Sequence, residues 1–248
     1  MERAIEEINS LGADVVACTG DLTGAGFQGE FEAARAYLDR FEAPELIVIP
    51  GNHDSRNVGY VHFEELFGPR KRVVHLERPG GRRVSFVSVD STEPDQNHGR
   101  IGRGRYGWIL DAFAPPADLR VFMLHHHLLP LPGTGRERST VDDAGDALEV
   151  LQMAGVNLVL GGHKHVPYVW RLEDMFIVHA GTVSTLRLRG HVPPSYNVVR
   201  MYDSRVEIDR HEPGGAGERI LEFSLTDRTS WRKRTGLIIE QLRAPSEP

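Results

Sequence analysis

Short apolar runs alternate with helix-periodic segments along the first two-thirds of the chain, and four of the runs end abruptly in polar clusters. Such alternation points to an α/β fold, with buried strands and helices packed over them. Ile5, Ile8 and Leu11 recur at helical spacing, and Gly12 closes that helix. Residues 14–18 (DVVAC) read as a buried strand stopped by Thr19-Gly20-Asp21. Phe31, Ala34, Leu38 and Phe41 outline a second helix, and residues 46–49 a second strand stopped by Pro50-Gly51. A short helix around Phe63, Leu66 and Phe67 precedes strands at 72–76 and 82–89. Residues 93–105 read as a polar, glycine-rich surface loop. Helices at 108–113 and 144–154 then alternate with strands at 119–124 and 156–160.

Further on the texture changes to strands separated by short turns, at 168–172, 175–179, 183–188, 196–201 and 206–210, with a last run at 220–225. The whole reads as one domain over 1–248, an α/β part with an appended β-rich half in a layered sandwich. Hydrophobic residues at 40% and charged residues at 26% are those of an ordinary globular chain. The net charge of −6 gives no basic stripe for a nucleic acid. Cys18 is the single cysteine, which excludes an intrachain disulfide and suits a reducing compartment. No apolar run approaches the roughly 18 to 20 residues of a membrane span, and the acidic start does not read as a signal peptide. A cytoplasmic location is the expectation.

The chemistry sits in the four clusters: Gly20-Asp21, Gly51-Asn52-His53-Asp54, His125-His126-His127 and Gly162-His163-Lys164-His165. Each lies just beyond a strand, where the loops of an open α/β sheet converge on a crevice. A carboxylate, an amide oxygen and imidazoles make a mixed N/O set suited to Mn²⁺, Fe or Zn²⁺. With no thiolate at these points, a structural cysteine-type zinc site is excluded. His163 and His165 are two apart, so in an extended segment both project to one side and could serve neighbouring metals.

These motifs, in this order and separation, resemble the calcineurin-like metallophosphoesterase superfamily, and within it the bacterial class III cyclic-nucleotide phosphodiesterases. The segment 181–190 followed by Pro194-Ser195-Tyr196-Asn197 is similar to that group's later region. The resemblance spans essentially the whole chain. It implies a four-layer α/β/β/α sandwich and two divalent metal ions (Mn²⁺, Fe²⁺/Fe³⁺ or Zn²⁺). The implied reaction is hydrolysis of phosphoester bonds, phosphodiesters such as 3′,5′-cyclic nucleotides, by a hydroxide held between the ions. Asp21 would bridge the metals, Asn52, His125 and His163 would complete one site, and His165 would belong to the other. His53 would be the catalytic histidine, with Asp54 holding it in orientation. His126 is the candidate for lining the substrate pocket, and a one-residue register shift between His125 and His126 stays open. The partner would be a small phosphoester, with no nucleic acid and no membrane span, and a homodimer is compatible with the reading.

Superfamily members open with a strand carrying Asp-x-His, which supplies two further ligands beside His165. This chain opens within the helix that follows, so the first strand is expected to be missing, the central sheet to show a gap and the second metal site to be weakened. Two rival readings remain: a non-catalytic binding module on the same fold, and a phosphodiesterase for another small diester or nucleotide-lipid. Outside the motifs, His127 is expected to be exposed and His98 to overhang the site, while His179 is a candidate partner behind the ligands. His62, His75, His191 and His211 are expected at the surface or as satisfied structural residues. Arg187 and Arg189 alternate as on a solvated strand face, and Trp108 and Trp170 read as core anchors.

Overall fold

Strands form where the apolar runs lack helical periodicity, and helices where that periodicity returns. A computed structural model describes residues 1–78, 80–132, 140–185, 192–227 and 231–233. The first half runs α1 (Glu2–Ser10), β1 (Val15–Cys18), α2 (Gln28–Leu38), β2 (Glu45–Val48), α3 (Gly59–Phe67), β3 (Arg72–Glu77), β4 (Arg83–Ser88), α4 (Tyr106–Ala112) and β5 (Leu119–Met123). Then follow α5 (Ala144–Met153), β6 (Leu158–Gly161), β7 (Tyr168–Leu172), β8 (Met175–His179), β9 (Tyr196–Met201), β10 (Arg205–His211), β11 (Gly217–Ser224) and β12 (Trp231–Lys233).

The larger sheet has the order β3-β4-β5-β6-β8-β7. Its four inner strands are parallel, and β3 and β7 close the edges antiparallel. Both faces are covered, which is why β5 and β6 carry near-continuous apolar runs. One face packs against α4 and α5 through Phe122, Val159, Ile109 and Leu151. The other packs through Val121, Met123 and Leu158 onto Ile47, Val206 and Leu221. Each fully buried side chain of this size stabilises the fold by about 1.5–3 kcal/mol. Those partners belong to a second β layer, made of the parallel pair β1-β2 and the antiparallel sheet β12-β11-β10-β9. Ile8 of α1 and Ala34 and Leu38 of α2 bound the far side of that layer, which gives the four-layer α/β/β/α order.

The second layer is interrupted. Among the described residues β1 pairs only with β2, and β9 only with β10. Between them lies a cavity of about 1190 Å³, lined by Val16, Ala17 and Val199 and floored by Phe86, Val121 and Leu160 of the larger sheet. The sequence Val-Val-Ala-Cys of β1 is only half-buried, and its Ala17 is exposed. The gap expected beside β1 is therefore present, and it runs to the strand ends where Asp21, His163 and His165 lie.

Local differences from the sequence reading are small. The second helix stops at Leu38, so Phe41 lies beyond it. Residues 183–185 of the expected strand are not strand. The rest of that segment, with Arg187, Arg189 and His191, lies outside the described residues. Trp108 and Trp170 are half-buried and pack against the core over α4, α5 and β7. No helix among the described residues is long and apolar enough to cross a membrane.

Candidate metal centre

Four chain segments meet at the strand ends because two glycines let them. A Cβ at Gly51 would overlap the Asp21 backbone and carboxylate, and one at Gly20, where φ is +94°, would overlap Gly51 and His125. The loop after β1 turns with Asp21 in the left-handed region at φ 57°, and Asp21 Oδ1 accepts the His53 N–H at 3.1 Å.

The side chains brought together are Asp21, Asn52, His125 and His163. His125 donates its Nδ1–H to the Thr19 carbonyl at 2.7 Å. A neutral imidazole carries one hydrogen, so its Nε2 presents a lone pair. That nitrogen faces Asn52 Oδ1 at 3.2 Å, His163 Nδ1 at 3.2 Å and Asp21 Oδ1 at 3.4 Å. His163 Nδ1 lies 2.9 Å from Asn52 Oδ1. Asp21 Oδ1, Asn52 Oδ1 and His125 Nε2 are all acceptors, and one hydrogen on His163 cannot satisfy three of them. Convergent acceptors at this range are what a cation neutralises, and the ligating atoms of Asp21, His125 and His163 all fall within 4.8 Å of one another. Burial, with the His125 and His126 rings alongside, holds His163 far below its usual value and hence neutral, the form a metal ligand requires. The donor set fits a divalent metal. The geometry also places His125 rather than His126 among the converging acceptors.

His53 is half-buried and lines the cavity beside Asp21 and Gly24. Its Nδ1 lies 2.7 Å from the Gly24 carbonyl, which fixes the proton on Nδ1. Among the described residues Asp54 makes no hydrogen bond to this ring, so any hold it has on His53 is indirect. Its carboxylate accepts Leu22 N–H at 3.1 Å, Thr23 N–H at 2.8 Å, Thr23 Oγ1–H at 2.8 Å and Gly51 N–H at 2.8 Å. Asp54 therefore holds the 21–24 turn, and the turn holds His53 through Gly24. Burial, then the nearby Asp21 charge, push the Asp54 carboxyl up to about 6, against the pull of those hydrogen bonds. The same turn is fixed from α2, where Glu30 accepts the N–H groups of Gly24 at 3.1 Å and Phe27 at 3.0 Å.

Several other histidines depart from expectation. His127 is fully buried, not exposed, because its Nε2–H donates to the Gly162 carbonyl at 3.0 Å and its ring packs 4.2 Å from His179. His126 is also fully buried, with Nδ1 at 2.9 Å from Ser91 Oγ, and Gly99 packs against its ring, so it does not line the cavity. Burial holds both His126 and His179 well below their usual values. His165 lines the cavity but lies outside the tight cluster. His163 and His165 both have positive φ, 74° and 58°, so their segment is not extended as the spacing argument assumed. An Asp-x-His triplet does occur at Asp209-Arg210-His211, on β10, where Asp209 pairs with Arg200 and Arg219 and takes no part in the cluster. His98 lies 3.8 Å from Asp142, and His75 Nδ1 lies 2.9 Å from Ser85 Oγ. Sequence reasoning missed the Thr19 and Gly24 carbonyls, for which no residue type is a signal, and Asn97, whose loop carried no motif.

A four-layer α/β/β/α fold with mixed N/O ligands at its strand ends defines a metallophosphoesterase, an enzyme class that hydrolyses phosphoester bonds. The sequence model of the calcineurin-like phosphoesterases matches residues 1–167, and the chain belongs to that family. A cAMP/cGMP dual specificity phosphodiesterase of Mycobacterium tuberculosis is 30% identical, aligned over 98% of this chain and 80% of its own length. Among solved structures, GAP50, the anchor in the inner membrane complex of Plasmodium, superposes with a TM-score of 0.68 at 12% identity, over 90% of this chain and 81% of that one. Purple acid phosphatase PPD1 of yellow lupin superposes with a TM-score of 0.66 at 14% identity, over 90% of this chain and 48% of its own. At such identities the structural likenesses speak for the fold alone.

Proposed function

We propose that the chain hydrolyses small phosphodiesters, 3′,5′-cyclic nucleotides among them, with Asp21, Asn52, His125 and His163 holding one divalent metal and His165 contributing to a second. The observation that carries this is the convergence of three acceptors, Asp21 Oδ1, Asn52 Oδ1 and His125 Nε2; among the described residues His163 Nδ1 is the one side-chain donor placed among them, and the His53 N–H reaches Asp21 alone. The named mycobacterial relative supports the substrate class. When bound, the metal supplies positive charge to the phosphoryl oxygens and acidifies water.

The chain's own groups do the rest. Asn52 and His125 are held by bonds made on their other side, to Asn97 and to the Thr19 carbonyl, so they bind without rearranging. His53 keeps its Nδ1 proton on Gly24, so a second proton, taken up from solvent on Nε2, would pass from there to the leaving oxygen as the ester bond breaks. An acidic protein can serve an anionic substrate because positive charge is local to the site.

The test is Mn²⁺-dependent hydrolysis of 3′,5′-cAMP, set beside bis(p-nitrophenyl) phosphate, by the 248-residue chain and by His163→Ala. Turnover of both diesters, abolished by EDTA and by the substitution, is expected. Hydrolysis of the synthetic diester alone would overturn the cyclic-nucleotide assignment. Turnover indifferent to His163→Ala would overturn the ligand assignment.

A further inference from the structure

Asn52 is 2% exposed, and its amide has two faces of opposite polarity. Only one orientation puts an oxygen among the ligands, so something must choose it. On the far side, Asn52 Nδ2–H donates to Asn97 Oδ1 at 3.2 Å. The same Asn97 oxygen accepts Arg56 Nη2–H at 3.0 Å. A guanidinium can only donate, so Arg56 requires the oxygen of the Asn97 amide to face it. That oxygen in turn requires an N–H from Asn52. The Asn52 amide is thereby turned with its own oxygen toward His125 and His163.

Arg56 is suited to this task because no carboxylate among the described residues claims it. Among the described residues it makes no ion pair, and its other contact, Nη1 to the Gly24 carbonyl at 3.4 Å, is also to a neutral oxygen. The loop bearing Asn97 is tied down next to it. Asp95 N–H donates to the Ser55 carbonyl at 3.3 Å, Asp95 Oδ1 accepts Asn57 N–H at 3.0 Å, and Arg100 N–H donates to the Ser91 carbonyl at 2.9 Å.

We propose that Asn97, backed by Arg56, is a positioning residue that sets the orientation of the Asn52 amide and so delivers its oxygen to the cation site. The inference rests on the proposed use of Asn52 as a ligand, but the relay itself exists without any metal. Two readouts keep these apart. In the metal-free chain, NOE spectra of the Asn52 side-chain amide protons are expected to connect to Asn97 and not to the His125 ring; the reverse pattern would overturn the relay. Calorimetric titration with Mn²⁺ is the second readout. Asn97→Leu, at an exposed loop position, is expected to weaken binding about 10–100-fold. Asn97→Asp still accepts from both partners and is expected to bind at least as tightly as the parent. Arg56→Gln, which can either donate or accept, falls between them. Parent-like binding by Asn97→Leu, or an equal loss in Asn97→Asp, would overturn the proposal. If the parent chain binds no cation at all, the ligand reading of Asn52 fails while the NOE pattern still decides the relay.

Discussion

β1 and β6 are alike in sequence and opposite in setting. Val-Val-Ala-Cys and Leu-Val-Leu-Gly are both four-residue apolar strands that hand a polar residue to the same cluster, Asp21 in one case and His163 in the other. β6 has β5 on one side and β8 on the other, and Leu158 and Val159 are fully buried. Among the described residues β1 has a neighbour on one side only, and it faces the cavity with the other. An apolar run therefore dictates a strand, while its neighbours dictate burial. The candidate centre inherits the asymmetry. Asn52 and His125 stand on the side of the cluster away from the cavity, while Asp21, His53, His163 and His165 line it.

That contrast can be broken by mutation. Leu158→Ala in β6 is expected to cost about 2–5 kcal/mol, because it opens a void in close-packed surroundings. Val16→Ala in β1 removes contacts already half-open to the cavity and is expected to cost under about 1 kcal/mol. Urea unfolding of both variants measures the difference, and equal losses would mean that the cavity is filled in solution. At the junction of the two regions, Asp54→Ala strands buried N–H donors of Thr23 and Gly51, at about 1–3 kcal/mol each. It is expected to lower the melting temperature and to free His53 together with the 21–24 turn, seen as line broadening of the His53 ring resonances.

Metal addition sharpens the contrast next. Mn²⁺ at about 100 times its dissociation constant is expected to stabilise the fold by about 2.7 kcal/mol through mass action. His163→Ala should abolish that gain in thermal melts, and His165→Ala should leave most of it.

The smallest effect belongs to a control remote from the gap. Burial would raise the Asp143 carboxyl, but hydrogen bonds from Tyr106 and from the Ile101 and Gly102 N–H groups outweigh it and hold it below the ordinary carboxylate value. Its contribution is complete above the unfolded value of about 3.9 and is lost as pH falls through the lower, folded value. Asp143→Asn is expected to flatten that part of the acid-unfolding profile without altering Mn²⁺ binding.

The sequence made side chains at strand ends legible. Asp21, Asn52, His125 and His163 each follow an apolar run with a sharp end, and the structure brings all four together. Carbonyl direction was not legible, since every residue has one and the path of the chain aims it; Thr19 and Gly24 hold the His125 and His53 rings this way. His127 looked exposed because its burial comes from β8 and from Gly162, both distant in sequence. The His163-x-His165 spacing implied an extended pair, and left-handed backbone at both residues contradicted it. Asp54, adjacent to His53 in sequence, turned out to hold the turn on which His53 rests.

The asymmetry of the centre is tested most directly by counting cations. Calorimetric titration of the metal-free 248-residue chain with Mn²⁺ is expected to show one tight site that disappears in His163→Ala. Any second site should be weaker by at least about 10–100-fold. Two sites of equal affinity, or one that survives His163→Ala, would contradict the account.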